Sequence, residues 1–346
     1  MSASPRLPRY LRVTSLLRAE IQSGAFTDRL PPENDLAAKY RISRMTLRRA
    51  LAALAEEGLL DPRQGAGTFV REGAGQARTV ALLAAPDIAL HPEDLFYQQL
   101  VVSLIHACSA RGWMLRIAPN AADLVSRLGA GRGASVSGCI AIAFGGHDHG
   151  LLAEIPIPIV GVDGEPMPNG SSVLPDNAAG TAAAVERLVA LGHRDIAHIA
   201  GSPDKLAGRE RLAAFLTAMG RVGLPVRQDA IIQSTFLIED GYNAMARWWA
   251  SAQRPTAVVC ANDMIAIGAS RWAEEHGVRV GREVSLVGCD GLMVTSLMPT
   301  PLSTLALNFT EHAANVLDAV ADGERSGIRR TPLRLVERAS IGPVRG

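Results

Sequence analysis

The chain has 346 residues, of which 48% are hydrophobic and 20% charged, and its net charge is +1. This length suits two or three domains and this composition is ordinary for a soluble globular protein, which excludes disordered and membrane classes. The N-terminal stretch MSASPRLPRYLRV has arginines where a signal peptide has its apolar core, and no run reaches the roughly 18 apolar residues of a spanning helix, so we expect a cytoplasmic protein.

Charge is distributed unevenly along the chain. Residues 1–75 hold 12 Arg and Lys against 8 Asp and Glu, whereas the remainder holds 23 against 26. The small N-terminal part is therefore basic and the larger part nearly neutral. Such a division suggests a nucleic-acid module attached to a neutral body.

Two helices are predicted before residue 43. The first has apolar residues at i, i+3, i+4 and i+8 and ends near Gly24. That stripe consists of Val13, Leu16, Leu17 and Ile21. In LPPENDLAAKY, the two prolines fit the first turn of the second helix, and Glu33 and Asp35 suit the positive end of its dipole. Its predicted buried side consists of Leu36, Ala37 and Tyr40.

The stretch SRMTLRRALAALAEEGLL, residues 43–60, predicts a third helix with two unlike faces. Ser43 suits the N-cap and Gly58 the stop. At about 100° per residue, one stripe is apolar and the other carries arginines. The apolar stripe is Leu47, Ala50, Leu51 and Leu54, and the opposite side is Arg44, Met45, Arg48 and Arg49. Arginines near a helix N-terminus oppose the macrodipole, which indicates either a negatively charged partner or a solvated basic face.

The second and third helices are joined by a short turn at Arg41, Ile42 and Ser43, which is typical of a helix-turn-helix whose second helix enters the DNA major groove. After the third helix, LLDPRQGAGTFV predicts two short strands joined by a loop that contains Gly65 and Gly67. The N-terminal part is therefore predicted to be a winged helix-turn-helix.

These residues carry a family resemblance. YLRVTSLLRAEIQSG, LPPENDLAAKYRISRMTLRRALAALAEEGLL and RQGAGTFV resemble, in this order, the winged helix of the GntR family of bacterial transcription regulators. The resemblance implies double-stranded operator DNA as the partner. It also implies that Gln64 and Gly65 bring the wing tip to the minor groove. The residues implied to contact phosphates and base edges are Ser43, Arg44, Thr46 and Arg48, to which we add Arg49 from its angular position.

Two positions depart from the GntR pattern. The segment between Gly24 and Leu30 is shorter than the common loop, and Asn34 stands where many members have an arginine. Asn34 is therefore not expected to make the charge-assisted phosphate contact of those members. The basic face nevertheless has DNA as its expected partner.

A Gly- and Ala-rich stretch, REGAGQAR, predicts a flexible linker near residue 77. We place the DNA-binding domain at residues 1–72, the linker at 73–78 and a second domain at 79–346. The second domain alternates strands with helices, and its nearly continuous apolar strands imply parallel sheets covered on both faces. The predicted strands are TVALLAA, WMLRIAP, SGCIAIA, IPIVGV, DIAHIAG, AIIQST, TAVVCA and VSLVGCD. The predicted fold class is α/β, a winged helix-turn-helix followed by a two-lobed Rossmann-like core.

Polar residues follow several of these strands, where ligands of such sheets collect. Guanidinium, carboxylate and amide groups that meet over a cleft suit a polyhydroxylated ligand, since hydroxyls donate to carboxylates and accept from guanidinium. For any single aspartate, a helix cap or a turn is an equally good interpretation, and the recurrence favours the site. The residues concerned are Asp87, Asp163, Arg209, Arg211, Asn262, Asp263 and Asp290.

From about residue 79 to 340 the chain resembles the effector-binding core of the LacI family, which is similar to periplasmic sugar-binding proteins. The resemblance rests on LPDNAAGTAAAVERLVALGHRDIAHIAG, ERLAAF, PTAVVCANDMIAIGA, VSLVGCDG and PTPLSTLALNF. It implies that Arg211 and Asp290 hold ligand hydroxyls. It further implies a polar contact from Asn262, a pocket carboxylate at Asp163, a stacking ring at Phe236 and a pocket wall at Phe309. Leu307 and Ala214 depart from the family pattern, and Leu307 leaves the ligand open.

Four other features favour structural interpretations. His147 and His149 in GGHDHG lack a clear third metal ligand, and GAGRG at residues 129–133 lacks the spacing of a phosphate loop. Trp248 and Trp249 are expected to pack on a sheet. Far-apart cysteines without a C-x-x-C pair indicate buried thiols rather than a zinc knuckle or disulfides. These are Cys108, Cys139, Cys260 and Cys289.

The sequence thus predicts a DNA-binding transcription regulator, a repressor, which is controlled by a small-molecule effector, with a sugar favoured. A homodimer is expected because paired half-sites mirror two-fold symmetry. The alternatives are a regulator of the same architecture that senses a nucleoside or another metabolite, a sugar-acting enzyme, and a transport protein. We find no nucleophile-base pair, metal set or cofactor loop, so no enzymatic activity and no cofactor are predicted. A transport protein would need a signal peptide and no winged helix.

Overall fold

The computed structural model describes residues 9–22, 25–26, 28–63, 66–71, 78–86, 94–129, 136–323 and 327–344. The chain divides into two compact units, one of residues 1–79 with 109–114 and the other of residues 80–108 with 115–346. Within the described residues, no helix combines the length and the apolar character that crossing a membrane requires.

The N-terminal unit packs three helices against a hairpin. They are α1 (Arg9–Gln22), α2 (Glu33–Tyr40), α3 (Arg44–Glu56), β1 (Leu60–Arg63) and β2 (Gly67–Val70). Val13, Leu17 and Ile21 of α1 are buried, but Leu16 is 46% exposed, so its placement in the stripe was wrong. The buried positions are spaced i, i+4 and i+8, and at this spacing Leu16 lies at the edge of the buried face.

The helix-turn-helix forms as predicted. α2 begins at Glu33, after Pro32, and ends at Tyr40, and the left-handed backbone of the next residue, Arg41 (φ 52°), turns the chain toward α3. Ser43 caps α3, where its hydroxyl accepts a hydrogen bond from the Thr46 amide at 3.2 Å. The two faces of α3 are confirmed. The buried side chains are Leu47, Ala50, Leu51 and Leu54, and the exposed ones include Arg44, Met45, Arg48 and Arg49.

The predicted hairpin is confirmed, and a third segment of the chain, residues 28–30, pairs with it. β1 and β2 pair antiparallel, with Arg63 opposite Gly67 and Leu60 opposite Val70. Residues 28–30 run along the other edge of β2. There the Leu30 amide donates to the Thr68 carbonyl at 2.9 Å, and the Val70 amide donates to the Asp28 carbonyl at 2.7 Å. The segment before α2 is thus bonded to the wing.

The C-terminal unit starts with the elements that build the first lobe. In chain order these are β3 (Thr79–Ala84), α4 (Leu95–Ala110), β4 (Met114–Ile117), α5 (Ala121–Gly129), β5 (Val136–Ile142), α6 (His149–Ala153), β6 (Ile159–Val162) and β7 (Ser171–Pro175). The second lobe follows. It holds α7 (Asn177–Ala190), β8 (Ile196–Ala200), α8 (Leu206–Arg221), β9 (Ile231–Gln233), α9 (Ile238–Trp249), β10 (Ala257–Cys260), α10 (Asp263–Glu275), β11 (Ser285–Asp290) and β12 (Ser303–Leu307).

The last elements return to both lobes. α11 (Phe309–Asp322) and β13 (Gly327–Thr331) belong to the first lobe, and β14 (Leu333–Val336) to the second. Among the described residues, the strand order is β13-β7-β6-β5-β3-β4 in the first lobe and β14-β12-β11-β10-β8-β9 in the second. The chain therefore passes between the lobes three times, at residues 176, 308 and 332. A hydrogen bond joins two of these passages, since the Asp176 amide donates to the Thr331 carbonyl at 2.8 Å.

The predicted α/β class and two-lobed architecture are confirmed. Every predicted strand is present, whereas β7, β12, β13 and β14 were not among them. β10 and β11 are buried along their whole length, as expected of parallel strands covered on both faces. The four cysteines are free and buried, as predicted.

Candidate functional site

The exposed face of α3 presents its three arginines in different states. Among the described residues Arg44 has no ion-pair partner. By contrast, the Arg48 Nε lies 2.9 Å from a carboxylate oxygen of Glu33, and the Arg49 guanidinium lies 4.1 Å from the centre of the Tyr10 ring. Such a cation–π contact holds a guanidinium over a ring face and leaves its N–H edges open. Of the three arginines, Arg44 therefore has the guanidinium that is least engaged by other side chains of the described residues.

The remaining candidates of this face are placed as follows. Ser43 and Thr46 are used locally, since their hydroxyls lie 2.8 Å apart at the cap. Gln64 and Gly65 lie outside the described residues. Asn34 is exposed on α2. The structure thus brings Ser43, Arg44, Thr46, Arg48 and Arg49 to one helix, and their DNA contacts stay predictions.

A cleft of about 310 Å³ lies between the two lobes of the C-terminal unit. It collects loops at the carboxyl ends of strands, as expected for such sheets. Its lining includes four predicted residues besides Phe236, namely Asp163, Arg211, Asn262 and Asp290. Asp87 lies outside the described residues. Sequence reasoning missed the other lining residues, Asp94, Phe96, Tyr97, Lys205, Ala207, Thr235 and Leu237.

Arg211 is the centre of the cleft's hydrogen-bond network and is only 5% exposed. Its Nε donates to the Asn177 side-chain oxygen at 2.8 Å, and its Nη1 donates to the Ala261 carbonyl. Its Nη2 lies 3.4 Å from a carboxylate oxygen of Asp290, a long contact at the limit of a hydrogen bond. The guanidinium is therefore held in one orientation while its contact to Asp290 stays loose.

A second layer of contacts fixes Asn177. Its amide nitrogen donates to Glu210 at 2.8 Å, and Glu210 in turn accepts two hydrogen bonds from Arg330, at 2.6 and 2.9 Å. Arg330 lies on β13 of the first lobe and also donates to the Pro175 carbonyl at 3.0 Å. The orientation of Arg211 is thus supported from the strands where the chain passes between the lobes.

Two carboxylates, the buried Asp290 and the half-buried Asp163, face this single guanidinium. Burial raises the pKa of Asp163 to about 6, although Arg211 and the hydrogen bond from the Tyr97 hydroxyl at 2.8 Å act in the opposite direction. Burial likewise raises the pKa of Asp290 well above its ordinary value, and the attraction of Arg211 offsets this only in part. Carboxylates that lack water and full pairing favour partners that donate hydrogen bonds to them.

The backbone is strained at the same place. Asp163, Phe236 and Asp290 have positive φ angles of 51°, 73° and 128°. Such conformations cost about 1–3 kcal/mol each in residues other than glycine and persist where the surroundings impose them, often at ligand sites. Three strained residues that line one cleft make it the candidate site in this unit.

Aromatic rings form the cleft's apolar walls. Phe96 packs edge-on against Tyr97 with ring centres 5.1 Å apart, and on the other wall Phe236 covers Gly201, where any side chain would overlap the ring. Phe309 is not one of the lining residues. It lies behind the wall, with its ring centre 5.3 Å from that of Phe96.

The Asn262 side chain serves the site indirectly. It caps α10 by accepting from the Ile265 amide at 2.9 Å, and it donates to the Phe236 carbonyl at 3.2 Å. Both bonds lie within the second lobe, where they join the loop before α9 to the start of α10. Asn262 is therefore placed to hold the strained Phe236 segment as well as to border a ligand.

The remaining motifs of the sequence are structural where they are described. Trp248 is buried and donates its indole N–H to the Asp229 carbonyl at 2.8 Å, and Trp249 packs on Trp272, so the packing prediction is confirmed. The His147 ring is exposed beside Asp148. Among the described residues, no group of three His, Cys, Asp or Glu side chains could hold a metal ion. Residues 130–133 of the glycine-rich GAGRG stretch lie outside them.

Two family models match separate parts of the chain. Residues 9–70 match the bacterial regulatory proteins of the gntR family, and residues 185–341 match a periplasmic binding protein-like domain. Among curated proteins, the chain is 38% identical over 199 residues to the HTH-type transcriptional repressor PurR of Salmonella newport (strain SL254) and of Salmonella typhi. These matches cover 55% of this chain and 58% of each relative.

Solved structures share the two-lobed fold. A LacI transcriptional regulator from Rhodococcus species is 28% identical with a TM-score of 0.65, over 77% of this chain and 99% of that one. The lac repressor dimer bound to operator and the anti-inducer ONPF is 24% identical with a TM-score of 0.66, over 77% and 95%. A LacI family regulator from Enterococcus faecium with bound ribose is 22% identical with a TM-score of 0.64, over 77% and 100%. At these last two identities the likeness concerns the fold alone.

Proposed function

Because this chain carries a regulatory domain of the gntR family and a periplasmic binding protein-like domain with the fold of LacI-type regulators, we propose that it is a sequence-specific DNA-binding transcription repressor. Its affinity for operator DNA would be controlled by a small polar effector. The identity to PurR repressors, which spans 58% of their length, supports the same assignment. Our proposed domain limits are 1–72, 73–78 and 79–346.

The observation that carries the effector proposal is the buried Arg211 between incompletely paired carboxylates. A polyhydroxylated ligand can donate to Asp163 and Asp290 and accept from the guanidinium at once. Aromatic rings on both walls would cover the faces of a ring-shaped ligand. A sugar meets both requirements, and a nucleoside meets them through its ribose and base. We propose a sugar, with the nucleoside as the alternative to be tested beside it.

The DNA proposal rests on α3 and the wing. Arg44 is our base-reading residue, since it is exposed and has no ion-pair partner among the described residues. Ser43, Thr46 and Arg48 would contact phosphates and base edges near the helix N-terminus, with Arg49 beside them. Gln64 and Gly65 would reach the minor groove. The protein is proposed to act in the cytoplasm as a homodimer, because two winged helices match the two half-sites of an operator.

No catalytic activity and no cofactor are proposed. The carboxylates of the cleft act in this scheme as hydrogen-bond acceptors. Turnover assays on the sugars that bind would refute this part of the proposal if any product appeared.

Thermal shift with panels of pentoses, hexoses and nucleosides tests the effector proposal. A compound at 100 times its dissociation constant stabilises the folded protein by about 2.7 kcal/mol, which is a readily measured shift. Selection of duplexes from a random library tests the DNA proposal. Enrichment of one symmetric sequence, with loss of binding when a stabilising compound is added, is expected. Absence of any enriched sequence would overturn the repressor assignment.

A further inference from the structure

The wing has an outward face whose composition follows from strand register. Residues 28–30 and β1 pair with opposite edges of β2, so that Arg29 and Asp61 both stand opposite Phe69, and Arg63 stands opposite Gly67. Paired residues share a face of a sheet, as do positions two apart on one strand. Arg29, Asp61, Arg63 and Phe69 therefore lie on one face, which we call the wing face. Val70 and Leu60 are buried on the other side.

The wing face holds two guanidiniums around one ring. The Arg63 guanidinium carbon lies 4.6 Å from the centre of the Phe69 ring, and that of Arg29 lies 5.7 Å from it. At Gly67 (φ +106°) a side chain would come within 2.8 Å of the Arg29 guanidinium, so the missing side chain leaves room for this arginine. Both arginines are exposed. The local structure thus holds two cationic side chains at the surface.

Charge on the wing face is only partly neutralised. The Arg63 Nε contacts a carboxylate oxygen of Asp61 at 2.9 Å, and the Arg63 side chain still has 60% of its surface exposed. Arg29 has no ion-pair partner among the described residues. An aromatic ring takes the flat face of a guanidinium and leaves its N–H edges free, which are the groups that bind phosphate oxygens. Holding the side chains in place also lowers the entropy lost on binding.

We propose that the wing face, through Arg29 and Arg63, binds the phosphate backbone of double-stranded DNA without regard to base sequence. This inference rests on the proposed function and adds to it a surface apart from α3 and the wing tip. Phosphate contacts position a protein on the duplex, whereas base contacts select the sequence. The wing face would therefore contribute to affinity for any duplex, and α3 to the choice of operator.

The test uses the full-length protein and a labelled 30-base-pair duplex of random sequence, so that no operator is needed. Fluorescence anisotropy gives the dissociation constant between about 50 and 300 mM NaCl. Each lost phosphate contact reduces the slope of log affinity against log salt by about 0.9, and lowers affinity roughly five- to tenfold near 0.1 M salt. Arg29→Ala and Arg63→Ala are each expected to show this loss, and the double variant about twice the change in slope.

Two further variants make the result specific. Arg63→Lys keeps the charge and should retain most of the slope. Arg254→Ala removes an exposed arginine that stacks on Trp249 at 5.8 Å in the C-terminal unit, and it should bind like the wild type. Melting temperatures of all variants show whether the wing still folds.

The outcomes separate the two proposals. If the wild type binds duplex and the wing-face variants keep its slope while folded, the wing face makes no phosphate contact and this inference is wrong. If Arg254→Ala lowers the affinity and the salt slope as much as the wing-face variants do, the effect comes from net charge alone, and the inference is wrong as well. If the wild type binds no random duplex even at 50 mM salt, the wing-face proposal fails, whereas the proposed function is judged separately by whether selection enriches an operator sequence.

Discussion

Asp163→Asn should stabilise the free protein while weakening its effector site. Burial raises the pKa of Asp163 from 3.8 to about 6, so the folded protein binds this proton more tightly than the unfolded chain does. The stability that this group contributes is thus fully present below about pH 4 and is lost as pH rises through 6. At about 1.4 kcal/mol per pKa unit, the ionised carboxylate costs about 3 kcal/mol at pH 8.

Asparagine suits the position, because it tolerates the left-handed backbone of Asp163 (φ 51°) and retains an oxygen that can accept from the Tyr97 hydroxyl. Urea unfolding of both proteins should show a difference of about 3 kcal/mol at pH 8 that shrinks toward zero near pH 4. Asp204→Asn, at an exposed loop position, serves as the control and should show no such trend. A difference independent of pH, or a less stable variant at pH 8, would refute the reasoning.

Four further substitutions test the two candidate sites and the cap of α3. Arg44→Ala should lose about 1–3 kcal/mol of discrimination between operator and scrambled DNA, and equal losses on both, measured over several salt concentrations, would make it a phosphate contact instead. Arg211→Ala and Asp290→Ala should each abolish the calorimetric signal of the compound found by thermal shift while leaving operator binding nearly intact, and wild-type affinity in both would disprove the pocket. Ser43→Ala should destabilise the N-terminal domain by about 0.5–2 kcal/mol in calorimetric melting, and an unchanged melting transition would contradict the capping role.

The two faces of α3 were predictable because they depend on local periodicity alone. Leu47, Ala50 and Leu54 recur at helical spacing, and a helix buries such residues together. The pairing of residues 28–30 with β2 was not predictable, because a short segment without alternation gives no strand signal. That segment carries Arg29, so one of the two arginines of the wing face could not be placed there from the sequence.

The cleft was partly predictable for a similar reason. Carboxyl ends of parallel strands converge, which brought Asp163, Asn262 and Asp290 together from distant parts of the chain. Phe96 and Tyr97 come instead from the start of α4, the next described element of the chain after β3. The same strand-end rule, extended into the following helix, would have indicated them.

The support of Arg211 could not be predicted from local sequence. Glu210 contacts Arg330 because β13 returns to the first lobe and pairs with β7. The separation along the chain is large: Arg330 bonds to the carbonyl of Pro175, which lies 155 positions earlier. β13 is short, and its exposed positions do not alternate with buried ones. Long-range pairing of this kind depends on the assembled sheets rather than on any pattern in the strand itself.

The composition of the predicted linker bears on how an effector could act on DNA in the proposed function. REGAGQAR is rich in glycine and alanine, and a linker of that composition is not expected to transmit force as a stiff rod. In our proposed mechanism the signal therefore travels through the geometry of the dimer. The effector favours a closed cleft, closure rotates the first lobes of the two subunits, and the spacing of the winged helices changes. A hundredfold loss of operator affinity requires about 2.7 kcal/mol of coupling, inside the usual range of 1–3 kcal/mol.

Lengthening this linker by several Gly-Ser pairs should consequently weaken operator binding and shrink the effector response together. Both depend on a fixed separation of two winged helices, and a longer flexible linker lowers the effective concentration of the second once the first has bound. Anisotropy with operator DNA, with and without effector, measures both quantities in one titration. The affinity of one winged helix for a single half-site should stay constant, which controls for damage to the DNA-binding surface. A long insertion that leaves effector-induced release at full size would show that coupling does not pass through dimer geometry.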